Sequence, residues 1–118
     1  MQVNWNDVDV YLASAAIDMR KEINGLSLLV AEQLQQSPQA TAIYVFYNKQ
    51  KDKVKCLWWD KNGFVLYYKR LERGRYKIPK VLPNTMLALN TDQLAWLLAG
   101  LDFHLMNEFS ELNFTNYF

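Results

Sequence analysis

The sequence predicts an α+β domain, an antiparallel β-meander of four to five strands packed with an N-terminal helix and a C-terminal helix. Three observations predict it. Met19, Ile23, Leu26, Val30 and Leu34 recur at spacings of three and four, the period of one helical face. Residues 42–78 alternate β-branched and aromatic runs with short polar or glycine-bearing turns. Leu94, Leu97, Leu98 and Leu101 then restore a one-sided helical stripe.

Each element has its own reason. Residues 8–13, Val-Asp-Val-Tyr-Leu-Ala, are short and partly β-branched, which suits a strand. Asp18 is placed to cap a helix over about 18–36, because its carboxylate accepts a free N–H of the first turn. Gly25 inside that helix costs about 1 kcal/mol relative to Ala, which suggests a close neighbour. Ser37-Pro38 ends it. Strands follow at 42–47, 53–59 and 64–71. Asp60-Lys61-Asn62-Gly63 reads as a type I turn with Gly63 in the left-handed region. Glu72-Arg73-Gly74 turns the chain into a fourth meander strand at 75–78, and 85–89 is a short fifth one. Asn90 or Thr91 caps the second helix, and Gly100 is suited to its C-terminal cap. Residues 103–118 form an apolar tail that packs on the domain or on a partner. Residues 1–118 therefore read as a single domain.

The charge is unevenly placed. Of 118 residues, 13 are Lys or Arg and 12 are Asp or Glu, a net of +1. Residues 49–80 hold eleven of the basic residues and three of the acids, a net of +8. The remainder holds two basic residues and nine acids, a net of −7. Such asymmetry points to an anionic partner for the middle of the chain. A single cysteine, Cys56, excludes an intramolecular disulfide and fits a reducing compartment. The polar N-terminus is unlike a signal peptide, and no apolar run reaches the ~20 residues that span a bilayer. The expectation is a cytoplasmic protein without a membrane partner.

The basic segment is also aromatic, with nine aromatic residues from Tyr44 to Tyr76. Pairing Asp60 with Phe64 puts Lys55 opposite Lys69, with Lys53, Leu57, Trp59, Val65, Tyr67 and Leu71 on the same side. Val54, Cys56, Trp58, Leu66, Tyr68 and Arg70 then share the other side. Two like charges opposite each other are unfavourable without an anion nearby. Cations that grip phosphate and aromatic faces that stack on bases describe a nucleic-acid surface. On this reading Lys55, Lys69, Arg70, Arg73 and Arg75 contact phosphate, Trp59 and Tyr67 stack or pack beside them, and Arg20 and Lys21 join from the first helix. The competing reading is a solvated sheet face whose aromatics belong to the core. Catalysis has little support. Cys56 has no nearby His, His104 is alone, and no spacing suggests a metal site or a glycine-rich phosphate loop. Asp18, Asp60, Glu72 and Asp102 could in principle gather around a metal, but Asp18 and Asp60 are better explained as a cap and a turn residue. No catalytic residue, metal or cofactor is expected.

A set of motifs then narrows the field. Asp18-Met19-Arg20-Lys21, Gly25-Leu26, Lys55 through Trp59-Asp60, Gly63-Phe64-Val65-Leu66, the run from Tyr67 to Tyr76, and Leu97-Leu98-Ala99-Gly100-Leu101-Asp102 occur in this order. With them the chain resembles the TnpB, or second-reading-frame, accessory proteins of bacterial transposons of the insertion sequence 66 family. The likeness covers about residues 8–102. The RNA-guided nucleases that share the name TnpB are far larger. The resemblance implies an accessory role in transposition beside a separate large transposase, with DNA (transposon ends or non-specific) or the transposase as partner. Ala16 and Ile17 stand where the family commonly has proline and threonine, Ile78 precedes Pro79 where an aromatic residue is common, and the tail from 103 lies outside the pattern. The leading expectation is a non-catalytic DNA-binding accessory protein. The alternative is a protein-interaction module for the transposase or another accessory protein, with a homo-oligomer built from the +8 and −7 parts as a variant.

Overall fold

The computed structural model describes residues 8–32 and 35–106. The end of the helix expected to reach 36 falls partly outside these residues, as does most of the apolar tail. The elements are β1 (Asp9–Ala13), α1 (Ile23–Glu32), β2 (Ala42–Tyr47), β3 (Lys53–Asp60), β4 (Gly63–Arg70), β5 (Met86–Leu89), α2 (Thr91–Leu98) and a short 3-10 turn at Phe103–Leu105.

The strands form one sheet in the order β4-β3-β2-β1-β5. The expected meander is present as β2-β3-β4, two antiparallel hairpin pairs. β1 departs from it. It lies between β2 and β5, parallel to β2 and antiparallel to β5. The crossover through α1 is the reason, since a helix between two strands carries the chain back to the end where β1 began. Residues 75–78 are not a strand. Their alternation comes from Tyr76, which is buried and sends its hydroxyl to the Lys69 carbonyl (3.2 Å) while its N–H donates to the Lys51 carbonyl (2.7 Å). Those two bonds hold the segment across the end of the sheet rather than along it.

Register separates two faces. Val10, Leu12, Ile43, Val45, Val54 and Cys56 share one face, and Tyr44, Phe46, Lys55 and Leu57 share the other. All ten are buried, so both faces of the sheet are covered. The lysines of β3 and β4 show by what. Lys55 sends its ammonium to the carbonyls of Met19 and Lys21, both at 2.8 Å, at the entry to α1. Lys69 lies on the opposite face and donates to the Leu98 carbonyl at 2.7 Å, at the exit of α2. The helices therefore lie on opposite sides of the sheet, in three layers.

The helix limits follow local chemistry. α1 starts at Ile23, not at 18. The Asp18 carboxylate accepts from the backbone N–H of Arg20 (2.9 Å) and from its guanidinium, which closes a short polar turn before the helix begins. Leu26 and Val30 supply its buried stripe. The close neighbour expected at Gly25 is the stem of Lys21, whose Cβ and Cγ would lie 3.4 Å from any added Cβ. α2 begins with a capping box: Asn90 Oδ1 accepts from the Gln93 N–H (2.7 Å), and Gln93 Oε1 accepts from the Asn90 N–H (2.8 Å). It ends as its glycine suggests. Gly100 has φ +79, its N–H reaches the Leu97 carbonyl, and Leu101 N–H reaches that of Trp96. These paired bonds satisfy carbonyls the helix itself cannot.

Lys55 is 3% exposed, so the carbonyls it serves have no ready substitute for it. Lys55→Met should destabilise the domain by about 2–3 kcal/mol in a urea melt, because a buried charged donor shared by two backbone carbonyls is lost. Lys69→Met, at a half-buried site, should cost about 1 kcal/mol. Equal and negligible effects from both would refute the role given to Lys55.

Candidate nucleic-acid interface

The β3–β4 turn decides which side chains share a face. Asp60 pairs with Gly63, and the connection is the two residues Lys61 and Asn62, with Lys61 at φ +53. Gly63 is the first residue of β4 rather than the left-handed turn residue. This moves the register by one from the expected pairing, and a one-residue slip exchanges faces. Lys55 is opposite Tyr68, and Lys69 is opposite Val54. The two ammonium groups never confront each other, so the like-charge pair that suggested an anion between them does not exist.

The expected phosphate contacts divide accordingly. Lys55 is engaged inside the protein, with Glu22 3.3 Å from its ammonium and the Tyr68 ring beneath it at 5.5 Å. Lys69 is tied to α2. Arg70, Arg73 and Arg75 are exposed, and Arg70 pairs with Glu72 at 2.8 Å, a contact that raises the Arg70 pKa. Trp59 is half-buried near the hairpin turn, edge-on to Phe64 with ring centres 5.0 Å apart. Tyr67, 36% exposed, points to the face opposite Trp59. The hairpin thus offers no joint platform of these two rings. Arg20, its side chain 91% exposed, binds Asp18 at 2.6 Å and holds that carboxyl down at about 2. Lys21 is exposed, while its carbonyl serves Lys55.

The structure gathers six of the other cations at one end of the sheet. The β2–β3 loop is built on Asn48, itself buried. Its side-chain oxygen accepts from the N–H groups of Asp52 (3.1 Å) and Lys53 (3.0 Å), and its amide donates to the Asp52 carboxylate (2.6 Å). That amide holds the Asp52 pKa below the usual carboxylate range, assisted by the Lys53 charge. The loop after β4 is stitched to it through Leu71 N–H on the Asp52 carbonyl (2.8 Å) and Tyr76 N–H on the Lys51 carbonyl (2.7 Å). Burial pushes the Tyr76 phenol up to about 12, so it stays a neutral donor to Lys69. Lys49, Lys51, Arg73, Arg75 and Lys77 are exposed on these two joined loops, and Arg70 is exposed at the end of β4 beside them. Lys49, Lys51 and Lys77 belong to the basic segment, but nothing in their spacing sets them apart from the hairpin lysines. Only the cross-loop bonds bring them beside Arg73 and Arg75. Lys61 lies at the other end of an eight-residue strand, roughly 25 Å away at ~3.3 Å per residue.

The acids and the thiol are accounted for locally. Asp18 holds Arg20, Glu72 holds Arg70, Asp102 accepts from the His104 N–H, and Asp60 ends β3. Among the described residues, no group of three His, Cys, Asp or Glu is placed to hold a metal ion. Cys56 is buried mid-sheet, and burial pushes its thiol up to about 12, far from a reactive thiolate. No helix among the described residues is long and apolar enough to cross a membrane.

Comparison with known proteins bears on the whole domain. The family model described as "IS66 Orf2 like protein" matches residues 8–108. Two proteins of Sinorhizobium fredii (strain NBRC 101917 / NGR234) are similar to the chain. One, named "Uncharacterized protein y4jC", is 34% identical over 93 residues, 79% of each chain. The other, "Uncharacterized protein y4hO", is 34% identical over 102 residues, 86% of this chain and 88% of the relative. No solved structure matches at a significant level.

The loop chemistry has a pH signature. A carboxyl whose folded pKa is depressed adds stability above its unfolded value, near 4, and that contribution is lost as pH falls through the folded value. Stability in urea should therefore decline from about pH 5 downward, and Asp52→Asn should flatten that decline. An unchanged acid slope in Asp52→Asn would show that the Asn48–Asp52 bond does not carry it.

Proposed function

The chain belongs to the family of IS66 Orf2 like proteins, and from that premise we propose that it is a non-catalytic accessory protein of DNA transposition. Its basic loop end binds the DNA backbone. The supporting observation is the stitching of two cation-bearing loops into one exposed surface, with both nearby acids, Asp52 and Glu72, already paired within it. Arginine forks suit phosphate oxygens, and Arg73 and Arg75 flank Gly74, whose φ of +76 turns the chain sharply between them. Binding of this kind carries little sequence information, since phosphate contacts position a protein and base contacts specify. Such a protein acts where the element's DNA is, in the cytoplasm of a bacterial cell.

A second reading has its own observation. Leu101 and Leu105 are 49% and 51% exposed where the chain leaves α2. Apolar side chains there suit a partner protein, and in this reading the transposase or another accessory protein covers them while the basic loops meet its acidic surface. A second copy of the chain is the homo-oligomeric variant.

Fluorescence anisotropy with labelled duplex DNA tests the first reading. Six cations predict a log–log salt slope of about −5, and Arg73→Ala with Arg75→Ala should reduce its magnitude by about 2. Lys61→Ala, at the far end of the sheet, should leave affinity within about twofold. Absence of binding to duplex and single-stranded DNA at low salt would refute it. The second reading expects Leu101→Ser with Leu105→Ser to abolish co-purification with the element's transposase while leaving DNA affinity intact. Undiminished co-purification would count against it.

A further inference from the structure

One groove adjoins the basic loops and differs from them in chemistry. It has a volume of about 410 Å³. One wall carries the cations Lys51, Arg75 and Lys77. Its floor is apolar, formed by Tyr76 and Ile78. Asp102 and His104, from the turn that follows α2, complete the lining. The cationic wall and the floor are one unit, because the Tyr76 N–H is bonded to the Lys51 carbonyl and its hydroxyl to the Lys69 carbonyl. The Asp102–His104 turn is fixed as well. Asp102 accepts from the His104 N–H at 3.0 Å, and the His104 ring rests against Phe103 with centres 4.8 Å apart. Phe103 is buried, which anchors the turn.

A surface that only neutralised a duplex would need cations and little else. A duplex presents phosphate and sugar to its surroundings and keeps its base faces inside the stack. The apolar floor and the imidazole would then meet nothing. A free nucleotide unit matches all three parts. Its phosphate suits the Lys51, Arg75 and Lys77 wall, and its sugar lies over Tyr76 and Ile78. Its base stacks on the His104 imidazole, a ring of the kind that binds unstacked bases. The Asp102 carboxylate is available to an exocyclic amino group of that base. The volume also falls within the range of small-molecule pockets, roughly 300–1,000 Å³, and is far too small for a duplex.

We propose that this groove seats one nucleotide of single-stranded DNA, so that the protein prefers unpaired over paired DNA. The inference rests on the reading of the basic loops as a DNA surface and adds the form of DNA that they hold. The loops supply salt-sensitive attraction to any DNA. The groove supplies a contact that only an unpaired base can make.

The test compares a labelled oligodeoxycytidylate of about twelve nucleotides, whose bases carry an exocyclic amino group, with a mixed-sequence duplex of the same length, using the full chain at one salt concentration. Single-stranded DNA should bind at least about fivefold more tightly. His104→Ala changes an exposed side chain, and its folding is checked by its melting curve. It should weaken the single strand about fivefold and the duplex by less than about twofold. Ile78→Ser, checked for folding by its melting curve, should act in the same direction. Arg73→Ala, outside the groove, should weaken both forms alike. Equal affinity for the two forms, or a His104→Ala effect that is equal for both or absent, would overturn the groove and leave the basic surface standing. Failure of both DNA forms to bind would overturn the two together.

Discussion

Two ammonium groups hold the three layers of this domain in place. Lys55 and Lys69 leave neighbouring strands on opposite faces, and each ends on backbone carbonyls at a helix terminus. A lysine suits the task because its apolar stem crosses the packed layer while its three donors reach acceptors beyond it. At Lys55 those acceptors are two carbonyls and the Glu22 carboxylate, with the Tyr68 ring below. At Lys69 the acceptor is at the negative end of α2, where a cation is favoured. The hairpin register matters for this reason. Shifted by one residue, β4 would turn Lys69 into the layer that Lys55 occupies and leave the end of α2 without its donor.

The same interaction reshapes the electrostatics. Two of the eleven cations in the basic segment are committed to helix carbonyls, Lys55 buried and Lys69 half-buried. Those that remain at the far end of β2–β3 and after β4 are brought together by backbone bonds between loops, not by a sheet face. Asn48 is central to that end, because its one side chain organises four polar groups of the 48–53 turn. The basic surface is therefore tied to the hairpin by backbone and side-chain bonds, although it consists of loops.

Much of this was legible in the residues. The β2, β3 and β4 runs fall within a residue of their expected limits, since β-branched and aromatic alternation is a strong local signal. The cap of α2 was equally plain, because Asn90, Gln93 and Gly100 act on their immediate neighbours. What could not be read was non-local. Nothing in Val8–Ala13 says that the strand lies parallel to β2, because direction is set by the crossover and not by pattern. Tyr76 and Ile78 imitate a strand, yet the bonds that hold Tyr76 across the sheet come from residues 7 and 25 positions earlier. Met19 keeps the helical period but precedes the helix, because Arg20 binds Asp18 in a different turn. For the site, Arg70, Arg73 and Arg75 were readable as exposed cations. Lys55 and Lys69 were not, since composition does not distinguish an ammonium solvated by water from one solvated by carbonyls.

The position of β1 has a further consequence, in the order of assembly. The β2-β3-β4 hairpins pair residues that are close in the chain and close their loops at little entropic cost. β1 has β2 on one side, but its other neighbour, β5, is separated from it by more than half the chain. During synthesis, β1 leaves the ribosome well before β5 and waits with one edge unpaired while the middle of the sheet forms. The domain is closed only when residues 86–89 arrive, and α2, which follows directly, then brings its last carbonyl to Lys69. Because contacts close in the chain form faster than distant ones, the β2-β3-β4 hairpins are expected to pair before β5 closes the sheet.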